Sequence, residues 1–288
     1  YQNRCKKLMI SDSAPPQVRF LFSESVFPIA SIAKVDCNLI LLPLKKLLPN
    51  KALSMLGKII YLLVFTTLIC QVYAQKVYVA EGGLGKGSSW QDATGDLNFA
   101  LSKAGFGTEI WVAAGTYYPT ANQDRDAHFS IPDGVVLYGG FQGNETDLSF
   151  RNWQANPTFL SGEIGSSAPG DNSYTVLYTK GVSAATVIDG FVITGGMANG
   201  VGEKGHKNVS GGAWYNDGTS KPSTPEIRNC IFSNNYGREG AAIFNNGKNG
   251  NVMALLQNCT FTNNIADLDG GAIYNESSGG NAYLFLHD

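Results

Sequence analysis

The chain has 288 residues, 43% hydrophobic and 15% charged, with 34 Gly and a formal net charge of −2. Length allows one or two domains, but residues 1–74 carry nine Lys/Arg against Asp12, Glu24 and Asp36 (+6), whereas the remainder carries twelve against twenty Asp/Glu (−8). The acidic balance of that larger part argues against nucleic acid, since phosphate binding needs a basic surface, and no Gly-rich stretch has the strand-to-helix context or the Lys of a nucleotide loop.

Residues 1–54 begin with Tyr rather than Met and carry no chemical motif; Leu39 to Leu48 reads as a short helix. They read as an upstream extension outside the mature protein. From Met55 the sequence "MLGKIIYLLVFTTLICQVYAQ" places Lys58 before an apolar run from Ile59 to Cys70, followed by Val72-Tyr73-Ala74. This pattern predicts a secretory signal peptide over 55–74, cleaved after Ala74. An uncleaved anchor is the competing reading, yet the run falls short of the roughly 20 apolar residues needed to span a bilayer. The expected mature chain, 75–288, is therefore secreted or held at the outer membrane or cell surface. It keeps only Cys230 and Cys259, too few for a disulfide-dense scaffold. The pair reads as small buried hydrophobes, with one bridge as the alternative.

In "SSWQDATGDLNFALSKAGFGTEIWVAAGTYYPT", Leu97, Ala100, Leu101 and Ala104 have helical spacing. After the Gly105-Phe106-Gly107 break, Ile110 to Tyr117 reads as a strand. Asp133 to Tyr138 and Tyr174 to Tyr178 read as further strands.

The clearest organisation spans 185–288. Aligning "VIDGFVITGG", "EIRNCIFSNN" and "LLQNCTFTNN" superposes Ile188, Ile227 and Leu256, then Phe191, Cys230 and Cys259, then Ile193, Phe232 and Phe261, and finally Gly196, Asn235 and Asn264. A second phrase follows each: "GGAW" at Gly211, "GAAI" at Gly240 and "GGAI" at Gly270. Repetition at this period marks a solenoid. Apolar and polar residues alternate over three to five positions, the period of a short strand, and Gly, Asn and Asp at the ends tolerate the left-handed bends of tight corners. The expected fold is all-β, a right-handed parallel β-helix (solenoid) with a short N-terminal capping helix over its open end. Equivalent residues then stack about 4.8 Å apart, Phe232 on Phe261 inside and Asn235 on Asn264 at a corner. A β-sandwich is the alternative, but it has no reason to return the same residue types to the same columns.

The phrases "FSNN" and "FTNN" with "GGAW", "GAAI" and "GGAI" resemble the FxxN and GGA-type repeats of the chlamydial polymorphic outer-membrane protein family. The stretch "LYGGFQGNETDLSFRNWQANPTFLSGEIG" is similar to the opening coils of secreted bacterial proteins, notably from Bacteroidota, that share a pectin-lyase-like right-handed β-helix. The resemblance covers roughly residues 76 to 288 and implies an exported, surface-displayed or secreted solenoid with an adhesive role. Such proteins carry a C-terminal translocator barrel or sorting domain. Neither is recognisable before "AYLFLHD", so a C-terminal truncation is expected.

The same fold houses polysaccharide lyases and glycoside hydrolases, and fold alone does not settle function. Glu239 and Asp269 each precede the Gly of the second phrase and would stack on adjacent coils, near the 5 to 5.5 Å separation of a retaining glycosidase pair. With Asp267 they are also the calcium candidates, and Arg228 is the candidate base. Solvated corner residues are the plainer reading. Asp189 aligns with Arg228, and a surface ion pair between them is expected. Trp214 replaces the Ile of positions 243 and 273, either as a sugar-stacking platform or as a core residue. Trp90, Trp111 and Trp153 are weaker platforms. His128, His206 and His287 lack metal-ligand spacing and read as loop residues. The reading is a non-catalytic, adhesive or glycan-binding solenoid whose partners are cell-surface or extracellular glycans or proteins, needing no cofactor, with calcium as the one candidate. The alternative is an enzyme acting on an acidic polysaccharide in a cleft formed by loops around 199–210 or 217–225.

Overall fold

A computed structural model describes residues 75–287 apart from Ser167. The expected extension and signal peptide lie outside the described residues. Among the described residues no helix is long and apolar enough to cross a membrane.

The described chain winds as successive coils of short strands. It starts with β1 (Lys76–Val79) and α1 (Leu97–Lys103), followed by β2 (Glu109–Ala113), β3 (Gly115–Tyr117) and β4 (Phe129–Ile131). Next come β5 (Val136–Phe141), β6 (Thr158–Ser161) and β7 (Leu177–Lys180), then β8 (Val187–Asp189), β9 (Val192–Thr194), β10 (Met197–Ala198) and β11 (Trp214–Asp217). The best-repeated coils are β12 (Glu226–Arg228), β13 (Ile231–Ser233), β14 (Tyr236–Glu239) and β15 (Ile243–Asn246), then β16 (Asn251–Gln257), β17 (Thr260–Thr262), β18 (Ile265–Asp269) and β19 (Ile273–Glu276). The last strand is β20 (Asn281–His287). Equivalent strands pair in parallel into a first sheet β1-β2-β5-β8-β12-β16-β20, a second β3-β6-β9-β13-β17, a third β10-β14-β18 and a fourth β4-β7-β11-β15-β19. This is a right-handed parallel β-helix, the hand that right-twisted strands favour in parallel crossovers.

The corners explain the Asn and Gly of the repeats. Gly190, Asn229 and Asn258 occupy one corner column and Gly195, Asn234 and Asn263 another, all with φ between 50° and 85°. These are the residue types that tolerate the left-handed region. The second Asn of each "NN" turns inward instead: Asn235 Nδ2 donates to Asn264 Oδ1 at 3.0 Å, and Gly196 N donates to Asn235 Oδ1.

The interior is built of columns. Val77, Ile110, Leu137, Ile188, Ile227 and Leu256 stack along the first sheet, all buried and each stabilising by roughly 1.5–3 kcal/mol. In the second sheet Phe232 lies on Phe261 with centroids 5.0 Å apart and planes 6° from parallel. The fourth sheet adds a polar chain inside the core. Trp214 Nε1 donates to Thr179 Oγ1 (2.9 Å), Thr179 and Ser223 hydroxyls donate to Asn216 Oδ1 (2.9 and 2.6 Å), Asn216 Nδ2 donates to Asn245 Oδ1 (3.1 Å), and Asn245 Nδ2 donates to Asn275 Oδ1 (2.8 Å). Cys230 and Cys259 are free thiols in successive coils, and burial pushes both up, Cys259 to about 11.

Helix α1 begins at Asp96, whose carboxylate accepts from Phe99 N, and buries Leu97, Ala100 and Leu101. Those three join the interior cluster at its N-terminal end, as expected of a solenoid cap.

Several local expectations are corrected. The single strand over Ile110 to Tyr117 divides at Ala114 into β2 and β3, because the chain turns a corner there with Gly115 at φ +149°. Asp133 and Gly134 form the turn before β5 rather than its first residues; Gly134 has φ +75°, and Asp133 accepts from the Ser183 amide and hydroxyl. His287 ends β20 rather than lying in a loop. Asp189 and Arg228 are register partners but do not form the expected ion pair. Arg151 folds over the first sheet onto Asp189 at 2.8 Å, with both side chains about nine-tenths buried, and Arg228 turns back to grip Glu226 through two hydrogen bonds.

Candidate binding groove

The alternation of the fourth sheet sends two columns outward. One is Tyr178, Tyr215, Phe244 and Tyr274; the other is Lys180, Asp217, Asn246 and Glu276. The rings form a continuous stack with centroids 5.9, 5.3 and 5.4 Å apart and planes within 20° of parallel. His128 packs against its first member at 5.0 Å. The loop 199–210, between β10 and β11, lies across this stack, and Tyr215 donates its hydroxyl to Gly205 O at 2.6 Å. Loop and sheet enclose a cleft of about 630 Å³ lined by Tyr178, Tyr215, Asp217, Asn246 and Glu276 on the sheet and by the strap from Glu203 to Lys207, with Lys248 at the rim.

Its floor is a tied polar network. Tyr178 donates to Asp217 Oδ2 at 2.9 Å, Thr219 donates its amide and hydroxyl to Asp217 Oδ1, and Lys180 lies 3.5 Å from the same carboxylate. Burial pushes the Asp217 carboxyl up, but the Thr219, Tyr178 and Lys180 contacts outweigh it and hold the group below the usual carboxylate range. Burial, then the bond to Asp217, raises the Tyr178 hydroxyl. Asn246 Nδ2 donates to the Tyr215 hydroxyl at 2.6 Å. Glu276 accepts from Ser278 N, and the Ser278 contacts lower its carboxyl. Because each ring of the stack lies against the next, the groove presents ring edges, hydroxyls, amides and charges rather than open aromatic faces. What such a lining can offer a ligand is hydrogen bonds and charge, with a few placed polar groups to fix orientation.

The residues singled out by sequence are dispersed. Glu239 and Asp269 are register partners, but Glu239 is fully buried while the Asp269 side chain is 56% exposed. Ser210 donates to Glu239 Oε2 at 2.7 Å, and Oε1 has no partner. Asp269 pairs with Lys204 at 2.8 Å, and Asp267 accepts from the Tyr236 hydroxyl. Among the described residues no group of three or more His, Cys, Asp or Glu is placed to hold a metal. Arg228 stands on the first sheet, a different face from β14 and β18. Of the two readings of Trp214, the core one matches its position: the ring is fully buried on the inner side of the fourth sheet. Trp111 is also buried, stacked on Phe141. Of the three histidines, His206 alone lines the cleft.

The sequence offered the loops 199–210 or 217–225 only as walls of an enzymatic cleft, and the floor on the fourth sheet was missed. The signal was present: "WYND", "IFNN" and "IYNE" directly follow the aligned Gly-Ala phrases, and their second residue supplies the ring column.

The Chlamydia polymorphic membrane protein (Chlamydia_PMP) repeat matches residues 258–276, from the corner before β17 to the end of β19. That repeat family is associated with the bacterial outer membrane and surface. No curated protein and no solved structure gives a significant match.

Proposed function

We propose that this chain is an exported surface or extracellular β-helix that binds cell-surface or extracellular glycans, or proteins, adhesively and without catalysis. In this reading 1–54 is absent from the mature protein, 55–74 is the export signal removed after Ala74, and 75–288 is the displayed solenoid. The observation that carries it is the groove on the fourth sheet, where Asn246, Glu276, Lys248, Glu203 and His206 line one cleft with the tyrosine hydroxyls. Such a surface offers donors and acceptors at the spacing of successive coils, suited to a hydroxyl-rich chain. The surface association of the matched repeat supports the location. Against catalysis, Glu239 is sealed from solvent, Asp269 is held by Lys204, and Arg228 is held by Glu226 on another sheet.

The test is binding of the full chain to a panel of neutral and acidic glycans and to intact cells, compared with Asn246→Ala and Glu276→Ala. Losing one or two hydrogen bonds should weaken binding about tenfold, at roughly 0.5–1.5 kcal/mol each. Unaltered affinity in both variants would remove the groove as the binding surface. The enzymatic alternative draws on the same cleft, whose wall is the 199–210 loop. New reducing ends or unsaturated products on incubation with acidic polysaccharide, with or without calcium, would replace adhesion by turnover.

A further inference from the structure

Phe244 points outward from the fourth sheet, yet it is fully buried. What lies over it is the strap, at Gly205: a Cβ there would come within 3.3 Å of Phe244 Cζ. The strap is a loop with a closed neck, since Gly200 N donates to Asn208 O at 2.8 Å. Below the neck, Val209 and Ser210 are buried and join the coil, with Arg238 N donating to Val209 O and Ser210 bridging to Glu239.

The tip, 201–207, is attached differently. Its one aliphatic side chain, Val201, is 96% exposed, so the only apolar surface it buries is that of the rings beneath its backbone. Two ion pairs hold its flanks, Lys204 to Asp269 at 2.8 Å and Lys207 to Asp126 at 2.7 Å, and in each the carboxylate is more than half exposed. Lys204 also sits 4.8 Å over the Tyr274 ring. The other ties are hydrogen bonds from Tyr215 to Gly205 O and from Arg238 to Gly202 O, the bonds from Val209 N and Ser210 N to His206 O within the loop, and a long contact of the Thr175 hydroxyl with Lys207 O at 3.3 Å. Segments with few apolar contacts and exposed polar ties open at low free energy. Exposed ion pairs weaken further as salt shortens the Debye length from about 10 Å at 0.1 M to about 3 Å at 1 M.

We propose that the 201–207 tip is a salt-sensitive latch over the outer aromatic stack, closed by the Lys204–Asp269 and Lys207–Asp126 pairs and opening to uncover Phe244 and Tyr215. As regulation of the groove it rests on the binding reading above; as a property of the strap it stands alone. Asp269 and Asp126, which reach the tip from elements far apart in the chain, thereby set how often the groove widens and the Phe244 and Tyr215 rings become available.

The latch is tested without any ligand, so its failure and that of the binding reading are separate events. The full chain is exposed to hydroxyl radicals, and side-chain oxidation is read by mass spectrometry as the ratio of Phe244 to exposed Phe150. This ratio should rise about two- to thirtyfold in Asp126→Asn/Asp269→Asn at low salt, the combined range for two exposed pairs. The unsubstituted protein should approach the same ratio near 1 M salt, and the double variant should respond little to salt. Core Phe232 should stay unmodified throughout. An unchanged Phe244 ratio in the variant, or a rise shared equally by Phe232, would overturn the proposal.

Discussion

The buried amide chain of the fourth sheet predicts a gradient of stability losses. In Asn216→Ala, three groups lose a partner: the Thr179 and Ser223 hydroxyls and Asn245 Oδ1, all inside the coil. A buried polar group left unsatisfied costs about 1–3 kcal/mol. Some relief comes from rotating the two hydroxyls, so a total of about 3–6 kcal/mol is expected. In Asn245→Ala the orphans are Asn216 Nδ2, which stays buried, and Asn275 Oδ1, on an exposed residue that water can reach. One buried orphan gives about 1–3 kcal/mol. Asn275→Ala frees only Asn245 Nδ2, which is buried in the intact protein but which water reaches through the space left by the exposed Asn275 side chain, so the cost should be at the low end, about 1 kcal/mol. Chemical denaturation of the three variants, followed by circular dichroism and with slopes compared so that stability and unfolded-state changes are separated, gives the order directly. Equal losses at all three positions, or the largest at Asn275, would show that the amides are hydrated individually and refute the buried relay.

Two further outcomes follow from charged groups. Glu239→Gln keeps a carbonyl oxygen for Ser210 and removes a carboxylate whose Oε1 has no partner, so the denaturation midpoint should hold or rise, by at most about 2 kcal/mol; a loss above about 1 kcal/mol would reveal an essential bond at Oε1. Asp217 has its folded carboxyl below the ordinary value of 3.8, so its stabilisation is present above that pH and is lost as pH falls through the lower folded value. Melting temperatures measured from neutral pH down to about pH 2 should fall less steeply for Asp217→Asn than for the unsubstituted protein below that point, and parallel acid limbs would refute the assignment.

The columns that proved legible were those where similar residue types recur at the coil period. Phe232 with Phe261, and Asn235 with Asn264, could be aligned by eye because both members of each pair face the same surroundings one coil apart. The early coils were harder to read. Residues 76–180 carry long connections such as 142–157, so corners fall at uneven intervals and β2 merged with β3 across Ala114. Side-chain partners were less legible still: register correctly put Asp189 beside Arg228, but Arg151 arrives from a connection whose path no periodicity encodes. The candidate groove was half visible for the same reason. Its floor repeats, whereas its strap occurs in one coil only.

The stacking of coils also dictates how the molecule would respond to tension. Each coil touches chiefly the one before and the one after, so a pull along the solenoid does not load all the strands together. It peels a single turn, whose ladder bonds break as a zipper does. A repeat of 29 to 30 residues pays out roughly 100 Å of chain when extended, and the next turn is met only then. A solenoid built this way yields in discrete steps and re-forms from its remaining end.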